Sequence, residues 1–116
     1  ILTPYPGTAI YERFEREGRI LTKDWSKYSQ AHVVFKPKRM TPEELLEGYM
    51  WITKKFYSMD KVLKRILHYF GYAKDYEKSP ALLSLPTLNF AMRRYYKIER
   101  KRIRRELRDG TAIPSQ

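Results

Sequence analysis

Ile1-Leu2-Thr3-Pro4-Tyr5-Pro6-Gly7-Thr8 is an apolar tripeptide that runs straight into a tight turn and a helix start. Pro4 and Pro6 fix φ on either side of Tyr5. Gly7 permits a conformation that other residues avoid, and Thr8 can cap the helix that follows. Strand, turn and capped helix make half of a βα unit, the repeating piece of a parallel sheet. A strand of three residues needs a neighbour for its backbone groups. No initiator Met or signal-peptide pattern is present. The octapeptide therefore predicts the tail of a larger enzyme, its first strand and helix parted from their partners.

Working outward, the helix capped by Thr8 should run over residues 9–17, with Ile10, Tyr11 and Phe14 as its apolar stripe and Gly18 as its stop. The polar stretch Thr22-Lys23-Asp24-Trp25-Ser26-Lys27-Tyr28 comes next, and Asp24 and Ser26 suit a local turn. Trp25 and Tyr28 are large aromatics in a polar loop, expected to dock on the remainder of the parent. Ala31-His32-Val33-Val34-Phe35 is the strand candidate in the body of the chain, an edge strand or extended loop. Thr41-Pro42-Glu43-Glu44 combines a cap, a proline at the first helical position and a capping box. Its helix should reach Tyr57, with Leu45, Tyr49, Ile52 and Phe56 on one face.

Ser58 can cap a third helix through about Phe70, turning Val62, Leu63, Ile66, Leu67 and Phe70 inward, with Gly71 as terminator. Residues 72–79 read as a loop. A last helix begins near Pro80 or Pro86, which would bend or restart it, and runs to about Asp109. Leu88, Ala91, Tyr95, Ile98, Ile103 and Leu107 follow a helical spacing along it. The fold class is mostly α, about four helices with one or two short extended segments. Residues 1–18 would be the last strand and helix of a (βα) barrel, 19–110 a helical C-terminal extension and 111–116 a frayed tail.

At 116 residues the chain fits one modest core. It has no cysteine, so no disulfide, thiolate zinc site or cysteine-held cluster can form from its own residues. No stretch approaches the ~20 apolar residues of a membrane span. The catalytic motifs HExxH, GxSxG, GxGxxG and GxxxxGK[ST] are absent. His32 and His68 stand far apart and read as structural, so neither catalytic nor metal-ligating residues are expected. The net charge of +11 concentrates over residues 93–108. There Arg93, Arg94, Lys97, Arg100, Lys101, Arg102, Arg104, Arg105 and Arg108 face only Glu99 and Glu106. That density suits an anionic partner, a nucleic acid or an anionic membrane surface, beside the plainer reading of a solvated helix face.

The octapeptide, Glu17-Gly18-Arg19-Ile20-Leu21, Asp24-Trp25-Ser26-Lys27-Tyr28, Ala31-His32-Val33-Val34-Phe35-Lys36-Pro37 and Met40-Thr41-Pro42-Glu43-Glu44-Leu45 come in an order and spacing that is similar to a known family. Over residues 1–57 the chain resembles the C-terminal portion of radical SAM proteins, of the Fe–S oxidoreductase or methyltransferase type, that carry a cobalamin-binding domain. The resemblance implies that the extension covers the barrel mouth and shapes substrate access. It also places Pro4, Tyr5 and Gly7 on the S-adenosylmethionine side of the parent. The CxxxCxxC motif and cobalamin domain would lie upstream, so the fragment would hold no cofactor and perform no catalysis. The resemblance implies that the parent uses S-adenosylmethionine, a [4Fe–4S] cluster and cobalamin, and that it transfers a methyl group to an unactivated carbon. Its expected partners are the remainder of the parent, an anionic membrane or nucleic acid, and a second copy through the orphaned strand and helix. The alternative is a basic helical module that binds nucleic acid or membrane through residues 93–108. The expected location is cytoplasmic, with membrane association as the variant.

Overall fold

Thr8 stands in extended conformation and its hydroxyl accepts the Tyr11 N–H at 3.3 Å, which starts α1 (Ala9–Arg16). The same hydroxyl donates to the Tyr5 carbonyl at 2.6 Å and closes the Pro4–Gly7 turn behind it. The computed structural model describes residues 1–72 and 81–113, with the side chains of 72 and 81–83 left aside. Within them α2 (Pro42–Phe56), α3 (Met59–Tyr72) and α4 (Ala81–Arg108) follow, with one 3₁₀ turn at Trp25–Lys27. Pro42 and the reciprocal bonds of Thr41 and Glu44 open α2: the Thr41 N–H reaches Glu44 Oε2 at 2.8 Å, and the Glu44 N–H reaches Thr41 Oγ1 at 3.1 Å. Pro86 lies inside α4 without ending it, and α3 continues through Gly71. The loop expected over 72–79 falls, beyond Tyr72, outside the described residues, as do 114–116.

The chain divides into two compact units, Ile1–Met50 with Lys101–Gln116, and Trp51–Arg100. In the first, Val33 and Val34 are fully buried, and because successive side chains of an extended segment point to opposite sides they enter different clusters. Val33 packs with Leu21, Ala31, Leu46, Ile103 and Ala112, and Val34 with Tyr11 and Tyr28. Ala112 is only 3% exposed, so the chain just beyond α4 belongs to this core. Arg19 finishes the edge: its guanidinium lies 4.1 Å from the Phe14 ring centroid while Nε donates to the Lys36 carbonyl at 2.7 Å.

Among the described residues of the second unit Val62 is the fully buried aliphatic residue, and Thr53, Asn89 and Glu99 are buried polar groups. The inward row of α4 here is Leu85, Asn89, Met92, Tyr96 and Glu99, a helical repeat that carries polar residues. Leu88, Tyr95 and Ile98, the row that apolar spacing selects, face outward. On α3, Leu63, Leu67 and Phe70 are likewise exposed, Leu67 at 70%.

The expectation of a barrel fragment is corrected. Among the described residues there is no β-strand and no barrel; the one pairing is an isolated antiparallel bridge between Ile20 and Phe35. Ile1 packs on the first unit's core instead of joining a sheet. The reason is physical: three residues cannot form a ladder without a strand beside them, and burial of Ile1 needs only an apolar contact. The expected strand at 31–35 is buried for its side chains' sake, not through a ladder. The mostly helical fold class stands.

Candidate functional site

Tyr57 and Ser58 join α2 to α3 in a tight connection, with the Ser58 hydroxyl donating to the Lys55 carbonyl at 2.8 Å and the Val62 N–H to the Ser58 carbonyl at 2.9 Å. This brings the end of α2 against the start of α3 and leaves an open cavity of about 420 Å³ at their junction. Trp51, Ile52 and Phe56 supply its apolar wall, and Lys55, Lys61, Lys64 and Arg65 supply the rest through their side chains. Lysine and arginine stems line such a wall while their charged heads reach water at its edge. Trp51 is 60% exposed, an unusual position for a large aromatic on a helix of a small domain.

The four cations are not equivalent. Lys55 Nζ sits 4.8 Å from the Trp51 ring centroid. The Arg65 guanidinium lies 4.2 Å from that of Phe56 and donates to the Phe56 carbonyl at 2.9 Å. Its Nε and Nη2 donate to Asn89 Oδ1 at 3.1 and 2.9 Å, and Asn89 Nδ2 donates to the Leu85 carbonyl at 2.9 Å. Arg65 is therefore bound into the unit on several sides, whereas Lys61 and Lys64 are exposed on α3 at a spacing that puts them on one face. Among the described residues no carboxylate, histidine or hydroxyl side chain lines the cavity. The arrangement combines an aromatic and aliphatic wall with positive charge at its edge.

Sequence reasoning set Ile52 and Phe56 on one face of α2 and passed over the lysines. The signal was present in the aromatic–cation pair Trp51/Lys55 one helical turn apart, and in the cations Lys61, Lys64 and Arg65 that follow Asp60 at the start of α3. The Asp60 carboxyl is held below its usual range, chiefly by the Ser58 hydroxyl.

The residues singled out beforehand lie elsewhere. Pro4 is fully buried, while Tyr5 and Gly7 are exposed, Gly7 with φ +78° in the turn before α1. The basic run splits. Arg93 donates to the Tyr57 carbonyl at 2.6 Å and Arg102 Nε stands 3.5 Å from Glu106 Oε1. Arg94 and Lys97 are exposed and Arg100 is half-buried in the second unit. Lys101, Arg104, Arg105 and Arg108 together line a depression of about 470 Å³ in the first unit. His32 is structural in setting: its Nδ1 is 2.6 Å from Ser29 Oγ and its Nε2 3.4 Å from Glu106 Oε2. Trp25 and Tyr28 find each other within the chain, ring centroids 4.8 Å apart, and the Tyr28 hydroxyl donates to the Thr22 carbonyl at 2.7 Å. No helix among the described residues is long and apolar enough to cross a membrane.

The family described as "Domain of unknown function (DUF4070)" matches residues 8–107. The chain is 36% identical over 66 residues to bacteriochlorophyllide d C-12(1)-methyltransferase of Chlorobaculum tepidum, which covers 57% of this chain and 14% of that protein. It is 30% identical over 105 residues to bacteriochlorophyllide d C-8(2)-methyltransferase of the same organism, covering 72% and 23% respectively. An uncharacterized methyltransferase of Pyrococcus horikoshii is 36% identical over 73 residues, with 62% and 16% covered. The chain thus spans less than a quarter of the length of each of these relatives. No solved structure matches it.

These findings correct the expected parent. The names of these three relatives specify methyltransferases. The residues present do not fit the expected groups either: the chain has no cysteine for a [4Fe–4S] cluster, and the described residues hold no trio of His, Cys, Asp or Glu that could bind a metal. The cobalamin-dependent radical SAM assignment, and with it the Fe–S oxidoreductase reading and the barrel-mouth role, is withdrawn, and the family shown is the one matched over residues 8–107. The peptides that carried the resemblance are, in the fold, caps and turns such as Asp24, which accepts the Ser26 N–H at 3.0 Å. Local signals of that kind serve any helical domain.

Proposed function

Because the chain belongs to the family described as "Domain of unknown function (DUF4070)", we propose that it is a substrate-binding domain of a methyltransferase-type enzyme whose substrate is a tetrapyrrole carboxylic acid. The observation that carries this reading is the α2–α3 cavity, an aromatic and aliphatic wall edged by cations and free of acidic side chains. A macrocycle offers a flat apolar face to Trp51, Ile52 and Phe56, and its carboxylates complement the surrounding charge. A volume of about 420 Å³ falls in the range of ligand pockets. The bacteriochlorophyllides named for two of the relatives are tetrapyrroles, which supports the class of ligand.

The test is titration of the 116-residue chain with protoporphyrin IX, followed by quenching of Trp51 in a Trp25→Phe background. Saturable quenching that Phe56→Ser weakens is expected. Absence of binding rejects the reading.

A second reading is favoured by the depression at Lys101, Arg104, Arg105 and Arg108: an anionic partner bound by the first unit. Its affinity for RNA, DNA or anionic vesicles should fall steeply between low and moderate salt. Equal binding by an Arg104→Gln, Arg105→Gln variant would reject it.

A further inference from the structure

We infer that Lys61 and Lys64 are the residues that recognise the carboxylate of the ligand in the α2–α3 cavity, an inference that rests on the tetrapyrrole reading above. Four cations surround the cavity, but two already have work within the fold. Arg65 donates to Asn89 Oδ1 and to the Phe56 carbonyl and covers the Phe56 ring, so turning it toward a ligand would strip a buried amide of its partner. Lys55 is held over the Trp51 ring, where its charge stiffens the aromatic wall. Lys61 and Lys64 project from the same face of α3, three residues apart, and are exposed.

Their ammonium groups are point charges on flexible stems, able to follow a carboxylate at the rim of a bound ring. The division of labour is concrete. Trp51, Ile52 and Phe56 take the apolar body, Arg65 positions Phe56, and the lysine pair distinguishes an acid from its ester. Asp60 adjoins Lys61 in sequence and does not line the cavity.

The experiment compares protoporphyrin IX with its dimethyl ester on the 116-residue chain, read by Trp51 quenching in the Trp25→Phe background. The acid should bind more tightly than the ester. Lys61→Gln with Lys64→Gln should weaken the acid about tenfold, the size of a partly screened charge contact, and leave the ester unchanged. Lys61→Arg with Lys64→Arg should restore the preference, and Lys54→Gln, outside the cavity, should have no effect. Helicity by circular dichroism verifies that each variant is folded.

If acid and ester bind equally, and the lysine changes affect neither, the inference fails while the tetrapyrrole reading survives. If neither ligand binds, both fail. Vesicles of phosphatidylglycerol form a further arm. Vesicle binding that the lysine changes abolish, with porphyrin binding untouched, assigns the pair to a lipid surface and overturns the inference.

Discussion

The two units of this small chain handle apolar surface in opposite ways. The first buries it: Tyr11, Phe14, Leu21, Val33, Val34, Leu46 and Ile103 are all inside, and its one 3₁₀ turn is sealed by Tyr28. Among its described residues the second buries a single fully enclosed valine with Thr53, Asn89 and Glu99, and leaves Trp51, Ile52, Phe56, Leu63, Leu67, Tyr95 and Ile98 outside. A domain that needed only to fold would invert the second arrangement, because apolar burial is the main driving force and buried polar groups need partners. Stability rests with the first unit, and the second presents surface.

The sharpest way to break that contrast is to truncate one leucine in each unit. Leu46→Ala, at a buried site of the first, should cost about 2–5 kcal/mol by urea denaturation. Leu67→Ala in the second should change stability by less than about 0.5 kcal/mol. A cost above about 2 kcal/mol for Leu67→Ala would show that the outward face of α3 is covered in the folded chain, and the comparison would collapse. Next in size is Asn89→Ala, which removes the acceptor of two Arg65 donors and should cost about 1–3 kcal/mol. Since Trp25 belongs to one unit and Trp51 to the other, single-tryptophan variants can report where each loss is felt.

Helix existence and helix starts could be read from residue order because they depend on neighbours. Thr8, Thr41 with Glu44, and the stops at Gly18 and Gly110, both at positive φ, behave as their local chemistry dictates. Orientation could not be read so easily. On α4 the apolar row Leu88, Tyr95, Ile98 looks like the core, yet Asn89 and Glu99 are the buried residues, and the bonds of Asn89 to Arg65 and the Leu85 carbonyl make its burial tolerable. The supposed barrel strand at 1–3 and the strand candidate at 31–35 failed for the same cause: Ile1 and Val33 are apolar enough for either a ladder or a cluster, and only the fold decides. The cavity was hidden because its wall residues have ordinary helical spacing. What distinguishes them is exposure, which no periodicity encodes.

The capping box at the head of α2 provides a smaller test. Thr41→Ala removes the side-chain acceptor for the Glu44 N–H and should cost about 1 kcal/mol, with the Trp25 signal reporting the first unit's response. Glu44→Gln keeps reciprocal capping possible and should cost less. Equal losses would mean that the glutamate's charge at the helix N-terminus, rather than its bond to Thr41, supplies the effect.

The smallest effects concern carboxylates, and they compare the units under acid. In the first, the Ser26 hydroxyl and then the Ser26 N–H hold Asp24 below the usual carboxylate range, and Arg19 does the same for Glu17. In the second, the Ser58 hydroxyl holds Asp60 down. A carboxyl whose folded pKa is depressed contributes stability that is fully present above its unfolded pKa and is lost as pH falls through the folded value. The loss should therefore begin below about pH 4, where unperturbed Asp and Glu titrate. Ser26→Ala should be less stable than the parent chain at pH 7, and the gap should narrow as Asp24 becomes protonated at lower pH. Ser58→Ala should show the same narrowing through the Trp51 signal. A gap that stays constant from pH 7 to pH 2.5 in either unit would assign the serine's contribution to its backbone contacts, such as the bond from Ser58 Oγ to the Lys55 carbonyl, and remove the carboxylate from the account.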